Sequence, residues 1–93
     1  MFRRLVFRVL FFPSAAKALR KLDAANNARV KRALADVAVD PWKAGKPLHP
    51  SDFWSVRAGD YRAVYAIDAE QNQMMVLFVG HRKKVYDNFT KML

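Results

Sequence analysis

A chain of 93 residues with 17 Lys and Arg, 8 Asp and Glu and no cysteine has room for a single domain spanning 1–93. A second core would leave each part below the ~50-residue floor of typical domains, and a doubly wound sheet or large cofactor fold does not fit. Disulfides and thiolate zinc sites are excluded, and the net charge of +9 favours a polyanionic partner, nucleic acid first.

In chain order, residues 5–12 read LVFRVLFF. Leu5, Phe7, Val9 and Phe11 alternate with Val6, Arg8, Leu10 and Phe12, and both sets are mostly apolar. This predicts a strand covered on two faces. Arg8 interrupts the run and Pro13 ends it, so it is too weak for an export signal and far short of the ~20 apolar residues of a membrane helix. With no cysteine to protect, a cytoplasmic location without membrane contact is expected.

Ser14 is placed to cap a helix in which Ala15, Ala18, Leu19 and Leu22 form the apolar stripe. Asp23 is placed to cap a second helix, with Val30, Ala33, Leu34 and Val37 as its stripe. Lys17, Arg20, Lys21, Arg29, Lys31 and Arg32 occupy the other sides. Asp40-Pro41 stops the second helix. Residues 41–52, with three prolines and Gly45, are predicted as loop. Three strand-like runs follow: Phe53 to Arg57, Tyr61 to Ile67 and Met74 to Val79, joined by turns at 58–60 and 68–72. Val85 to Leu93 has the spacing of a short helix. The order predicts an α+β fold: an N-terminal strand, a two-helix hairpin, a three-stranded antiparallel meander and a C-terminal helix.

The last strand has Met74, Val76 and Phe78 on one side and Met75, Leu77 and Val79 on the other. One row is expected on the face that the two-helix hairpin leaves open. The terminal helix or the apolar face of a partner would cover it.

Chemistry is narrowly placed. His49 and His81 are the two histidines, the acids are scattered singly, and no paired carboxylates or glycine-rich phosphate loop appear. Neither a metal nor a cofactor is expected. The remaining cluster is basic and aromatic. Arg57 closes the second strand, Arg62 opens the third, and His81, Arg82, Lys83, Lys84 and Tyr86 follow the fourth. Antiparallel pairing brings the end of the fourth strand beside Arg62, which predicts that Arg62, His81, Arg82 and Tyr86 converge in a shallow pocket. That set suits RNA cleavage, in which guanidiniums stabilise a phosphorane and a base and an acid move protons. The charge itself is uneven: residues 1–34 carry nine basic groups against one acid, residues 35–93 eight against seven. The N-terminal excess reads as a docking surface for a large RNA.

Residues 54–68, WSVRAGDYRAVYAID, resemble the W-x-x-R-x-G-D-Y-R-x-x-Y-x-I-D signature of RelE-type toxins. Residues 79–86, VGHRKKVY, resemble that family's closing V-G-H-R-x-x-V-Y. The basic helix ending at Asp23 and the Gly45-Lys46-Pro47-Leu48 stretch also match its pattern. The resemblance implies a RelE/ParE fold and the toxin of a type II toxin–antitoxin pair, an mRNA endoribonuclease acting on the ribosome. It also implies an acidic RelB-like antitoxin in a hetero-oligomer. The family's catalytic arginines fall on Arg62 and Arg82, and its terminal tyrosine on Tyr86. RNA contacts fall to Arg57, Lys83, Lys84, Lys43, Lys46, Arg20, Lys21, Arg29 and Arg32. The pattern's two strand lysines are replaced here by Phe53 and Ser55, so the base must be another group. His81 is the first choice, with Lys43, Lys46 or His49 able to reach across. The superfamily also leaves open a ParE-like gyrase poison, or a remnant that only binds antitoxin.

Overall fold

The computed structural model describes residues 6–85 and residue 91. Strand β1 (Arg8–Phe11) is followed by helices α1 (Pro13–Arg20) and α2 (Ala24–Val37), then a one-turn helix α3 (Pro41–Ala44). Strands β2 (Lys46–Pro47), β3 (Trp54–Ala58), β4 (Tyr61–Asp68) and β5 (Gln73–His81) complete the sheet. The strand order is β1-β5-β4-β3-β2. Strand β1 runs parallel to β5, and every other pairing is antiparallel. Of the predicted terminal helix, Val85 closes a helical turn over 82–85 and Lys91 is helical; the rest, Tyr86 included, lies outside the described residues.

The α-helical stripes pack as their spacing requires. Ala15 and Leu19 of α1 and Val30, Leu34 and Val37 of α2 are buried against Ala63, Tyr65, Met74, Val76 and Val79 of the sheet. A second, smaller cluster sits on the sheet face turned away from α1 and α2, called the outer face below. There Val64 and Val85 are fully buried, with Leu48, Phe53 and Phe78 packed around them.

Four expectations are corrected. First, β1 is an edge strand with alternating exposure, because only its helix side is covered. Val6 is 56% exposed, and Leu10 and Phe12 are also exposed. Second, Ser14 does not cap α1. Phe12 holds the N-cap position with Pro13 just inside it, where a missing N–H costs nothing. The Ser14 hydroxyl instead donates to the Leu77 carbonyl at 3.1 Å. Third, the predicted loop 41–52 contains structure. The Asp40 carboxylate accepts from the Lys43 N–H and caps α3, and Lys46–Pro47 pairs with β3. Fourth, the rows of β5 do not alternate throughout. A bulge lets Val64 face Phe78 while Tyr65 faces Val76, leaving Leu77 as the extra residue. Met74 is thereby locked in the main core rather than free to line a groove.

Asp23 does occupy the N-cap of α2, yet its side chain makes no capping bond there. Its carboxylate accepts from the Asn26 amide at 2.7 Å. Asn27 reaches back to the Leu19 carbonyl at 2.8 Å and so fixes the α1–α2 corner.

Tyr65 ties the sheet to α3. Its ring is fully buried and its hydroxyl donates to the Pro41 carbonyl at 2.7 Å. Burial pushes the phenol from 10.0 up to about 12. The folded chain therefore keeps this proton to higher pH than the unfolded chain. Its stability is complete below pH 10 and declines as pH rises toward 12, by about 2–3 kcal/mol. Tyr65→Phe should lack this decline when denaturant midpoints are compared between pH 9 and pH 12. At neutral pH it should be weaker by about 1–3 kcal/mol, having left the Pro41 carbonyl without its partner.

Candidate functional site

The site is built where the β3–β4 turn meets the end of β5. Gly59 turns the chain at φ +64, and a Cβ there would lie 3.0 Å from Nη1 of Arg29 on α2. The left-handed conformation is what requires glycine; the Arg29 guanidinium, the mobile end of an exposed side chain, could shift aside. On the neighbouring strand Arg57 donates from Nε to the Gly59 carbonyl at 3.0 Å. Two arginines thus clasp one turn.

Arg57 and Arg62 stand directly opposite each other in the β3–β4 ladder, and Arg62 faces Gly80 of β5. Alternation along β4 puts Tyr61, Ala63 and Tyr65 in the main core and Arg62 and Val64 on the outer face. Arg62 is half-buried with its Nε out of solvent contact. Like charges placed directly opposite destabilise a sheet by themselves, whereas a phosphate between them matches the pair. After β5 the chain turns back. The Arg82 N–H donates to the Asp60 carbonyl at 3.0 Å, and the helical turn carries Val85 over the outer face against Val64. Arg82, Lys83 and Lys84 are exposed on it.

The predicted site residues are therefore brought together in part. Arg57, Arg62 and Arg82 share the corner formed by the β3–β4 turn and the end of β5. His81 is at the same corner but pairs with Tyr61 and not with Arg62. Its ring stands edge-on to the Tyr61 ring at 6.0 Å, on the helix side of the sheet. The Lys83 N–H points to its Nδ1 at 3.5 Å, and the residue is exposed. Tyr86 follows Val85 in sequence and lies outside the described residues. Lys43, Lys46 and His49 are exposed and belong to the opposite end of β3, around α3 and β2. Arg20, Lys21, Arg29 and Arg32 are exposed along α1 and α2.

The two positions where the RelE-type pattern has lysines are structural here. Ser55 is 1% exposed, and its hydroxyl has no hydrogen-bond partner among the described residues. Phe53 packs on the Val64–Val85 cluster. Sequence reasoning missed the Arg29–Gly59 contact. Its signal was the G-D turn between two arginine-bearing strands, but nothing local points to a helix 30 residues upstream. Among the described residues no three His, Asp or Glu side chains come together as a metal site would require, and no helix is long and apolar enough to cross a membrane.

Residues 9–86 match the family described as ParE toxin of type II toxin-antitoxin system, parDE. The chain is 35% identical over 83 residues to Toxin RelG of Mycobacterium tuberculosis, a match covering 86% of this chain and 95% of that protein. Among solved structures, the toxin–antitoxin complex RelBE2 of M. tuberculosis superposes with a TM-score of 0.77 at 34% identity, over 86% of this chain and 95% of that one. A mutant of the E. coli toxin RelE in the free state gives 0.79 at 26% identity, over 96% and 99%. The chain belongs to the RelE/ParE superfamily and is a toxin of the type II toxin–antitoxin class.

Proposed function

We propose that this toxin is a metal-independent endoribonuclease that cleaves mRNA on the ribosome and so stops translation. The observation that carries the reading is the arginine corner: Arg62 opposite Arg57 on the outer face, with Arg82 tied by its backbone to the β3–β4 turn. In the reaction the 2′-oxygen of a ribose attacks the adjacent phosphorus. The new P–O2′ bond forms as P–O5′ breaks, giving a 2′,3′-cyclic phosphate and a 5′-hydroxyl. Arg62 and Arg82 hold the phosphate and offset the charge that grows on its oxygens, and Arg57 steadies the flanking backbone.

One proton leaves the 2′-hydroxyl and one reaches the departing 5′-oxygen. His81, exposed at the strand end and able to reach around it from the helix side, and Tyr86 are the groups assigned to these transfers. Phe53 has no proton to exchange, and Ser55 is buried. The exposed cations of α1 and α2, with Lys83 and Lys84, supply a salt-sensitive docking surface for ribosomal RNA in the cytoplasm.

The regulatory partner we infer is an acidic RelB-like antitoxin, in keeping with the RelB–RelE complexes among the structural relatives. The exposed row Val6, Leu10 and Phe12, close in sequence to Arg8 and Lys17, suits an amphipathic acidic segment. Co-expression with the reading frame encoded beside the toxin gene should give a stable hetero-complex. Failure of the two to co-purify would remove this partner.

The ParE match favours a second reading, in which the same fold poisons DNA gyrase without doing chemistry. The two separate on expression in cells. Nuclease action gives truncated transcripts with intact chromosomal DNA. Gyrase-dependent double-strand breaks with intact mRNA would select the second reading.

A further inference from the structure

We propose that a cavity at the far end of the sheet from the arginine corner is a binding site for a single nucleobase. It has a volume of about 300 Å³ and is lined by Trp42, Trp54, Phe53, His49, Ser51 and Asp52, among others. Ile67 also lines it. Ile67 is five positions beyond Arg62 on β4, so the cavity lies ~17 Å along that strand from the proposed scissile phosphate. The choice of RNA as the source of the base rests on the nuclease reading above; the cavity itself does not.

The walls are fixed before any ligand arrives. The Leu48 N–H donates to the Phe53 carbonyl at 2.9 Å, and the Ser51 N–H to the Leu48 carbonyl at 2.9 Å. The Ser51 hydroxyl donates to that same Leu48 carbonyl and accepts the Phe53 N–H at 3.2 Å. The loop 48–53 is thus closed on itself, and the Ser51 hydroxyl proton is committed to it. The Trp42 ring rests edge-on against Phe7 at a centroid distance of 5.2 Å, yet stays 47% exposed. A large, oriented and half-bare indole suits a flat π-system.

Charge decides between a base and a protein side chain. Lys43 follows Trp42 and Lys46 precedes Pro47, another lining residue, and both lysines are exposed. By the same adjacency Asp68 follows Ile67, so two cations stand with two carboxylates; an incoming Lys or Arg would add a fifth charge and meet neither lysine, whereas a phosphate pairs with both. An aliphatic side chain would desolvate Asp52 with nothing in return. A nucleotide satisfies all three elements: its ring stacks on indole, its phosphate meets Lys43 and Lys46, and its N–H edge donates to Asp52. A carboxylate only accepts, and it accepts best from two adjacent donors. Guanine offers such a pair and uracil does not, so guanine is the preferred base.

The chain's two tryptophans both line this cavity, so intrinsic fluorescence reports on it directly. Titration of the full chain with GMP should give saturable quenching, with UMP binding several-fold more weakly. Trp42→Ala should weaken GMP roughly tenfold, the loss typical of removing one stacking ring. Asp52→Asn, a change at an exposed position, should erase the preference for GMP over UMP while circular dichroism stays unchanged. The Arg62→Ala, Arg82→Ala variant should bind GMP like the parent, which separates this test from the cleavage assay. Absence of saturable quenching by GMP would overturn the proposal. So would equal quenching by ribose 5-phosphate, or quenching by N-acetylarginine amide in place of GMP; the last would point to a docking protein.

Discussion

Replacing Arg62 by alanine should lower cleavage of ribosome-bound mRNA by about 10²–10³-fold, the loss measured elsewhere when one preorganised charge donor is removed from a reacting oxyanion. The expectation follows from its position. Arg62 is held by the centre of the sheet, with β3 on one side and β5 on the other, so its guanidinium does not need to be ordered when substrate arrives. Its half-buried setting also raises the value of each hydrogen bond it makes, because water competes less. Arg62→Lys should recover little of the activity, since an ammonium keeps the charge but not the planar fork that grips two phosphate oxygens. Arg57→Ala should cost less, because Arg57 is exposed and spends its Nε on the Gly59 carbonyl. Single-turnover cleavage at saturating toxin, with circular dichroism to check the fold, distinguishes these outcomes.

Gly45→Ala should be the most damaging small substitution for stability. A Cβ at this position would lie 1.7 Å from the Tyr65 hydroxyl oxygen, 2.8 Å from its Cζ and 3.1 Å from the Pro41 carbonyl oxygen. Tyr65 cannot swing aside, because its ring is fully enclosed by the main core. Accommodation therefore means breaking its bond to Pro41 and shifting α3. Overpacking and the lost buried hydrogen bond together should cost about 3 kcal/mol. In a domain of this size that lowers Tm by roughly 12–24 °C. In a Tyr65→Phe background the same change should cost less by at least ~1 kcal/mol, since the nearest clashing atom is gone. Thermal melts of the four-member cycle measure that coupling. Independent, additive effects would show that the contact does not govern the loss.

The readable and unreadable parts of this chain divide on physical grounds. Strands β3 to β5 were legible because polar turn residues at 58–60 and 68–72 separate apolar runs, and the helices because Ala15–Leu22 and Val30–Val37 keep a helical period. Arg57, Arg62 and Arg82 could be placed together because antiparallel order alone brings those strand ends to one corner. What escaped depends on long-range partners. The Leu77 bulge is stabilised by Ser14, 63 residues away, and both residues looked like ordinary strand and cap positions. The one-turn helix α3 and the two-residue β2 are too short for any period, and they persist through Asp40, Tyr65 and β3. Both faces of β1 are apolar in sequence, yet one is exposed, because at this edge strand only the helix side is covered.

The absent lysines follow from the same geometry. Phe53 and Ser55 alternate onto the outer face, as the pattern's lysines would, but here Val85 and Leu48 close a small apolar cluster there. On the proposed nuclease reading, proton transfer therefore falls to His81 and Tyr86. On the same reading, phosphate binding by the arginines should then contribute more to the rate than a strong base does.

The most direct measurement is primer extension on an mRNA being translated in a purified system, with and without ribosomes. Wild-type toxin should produce discrete new 5′ ends within the translated region, and only when ribosomes are present. The Arg62→Ala, Arg82→Ala variant should produce none. Equal cleavage by that variant, or an intact message with wild-type toxin, would contradict the account.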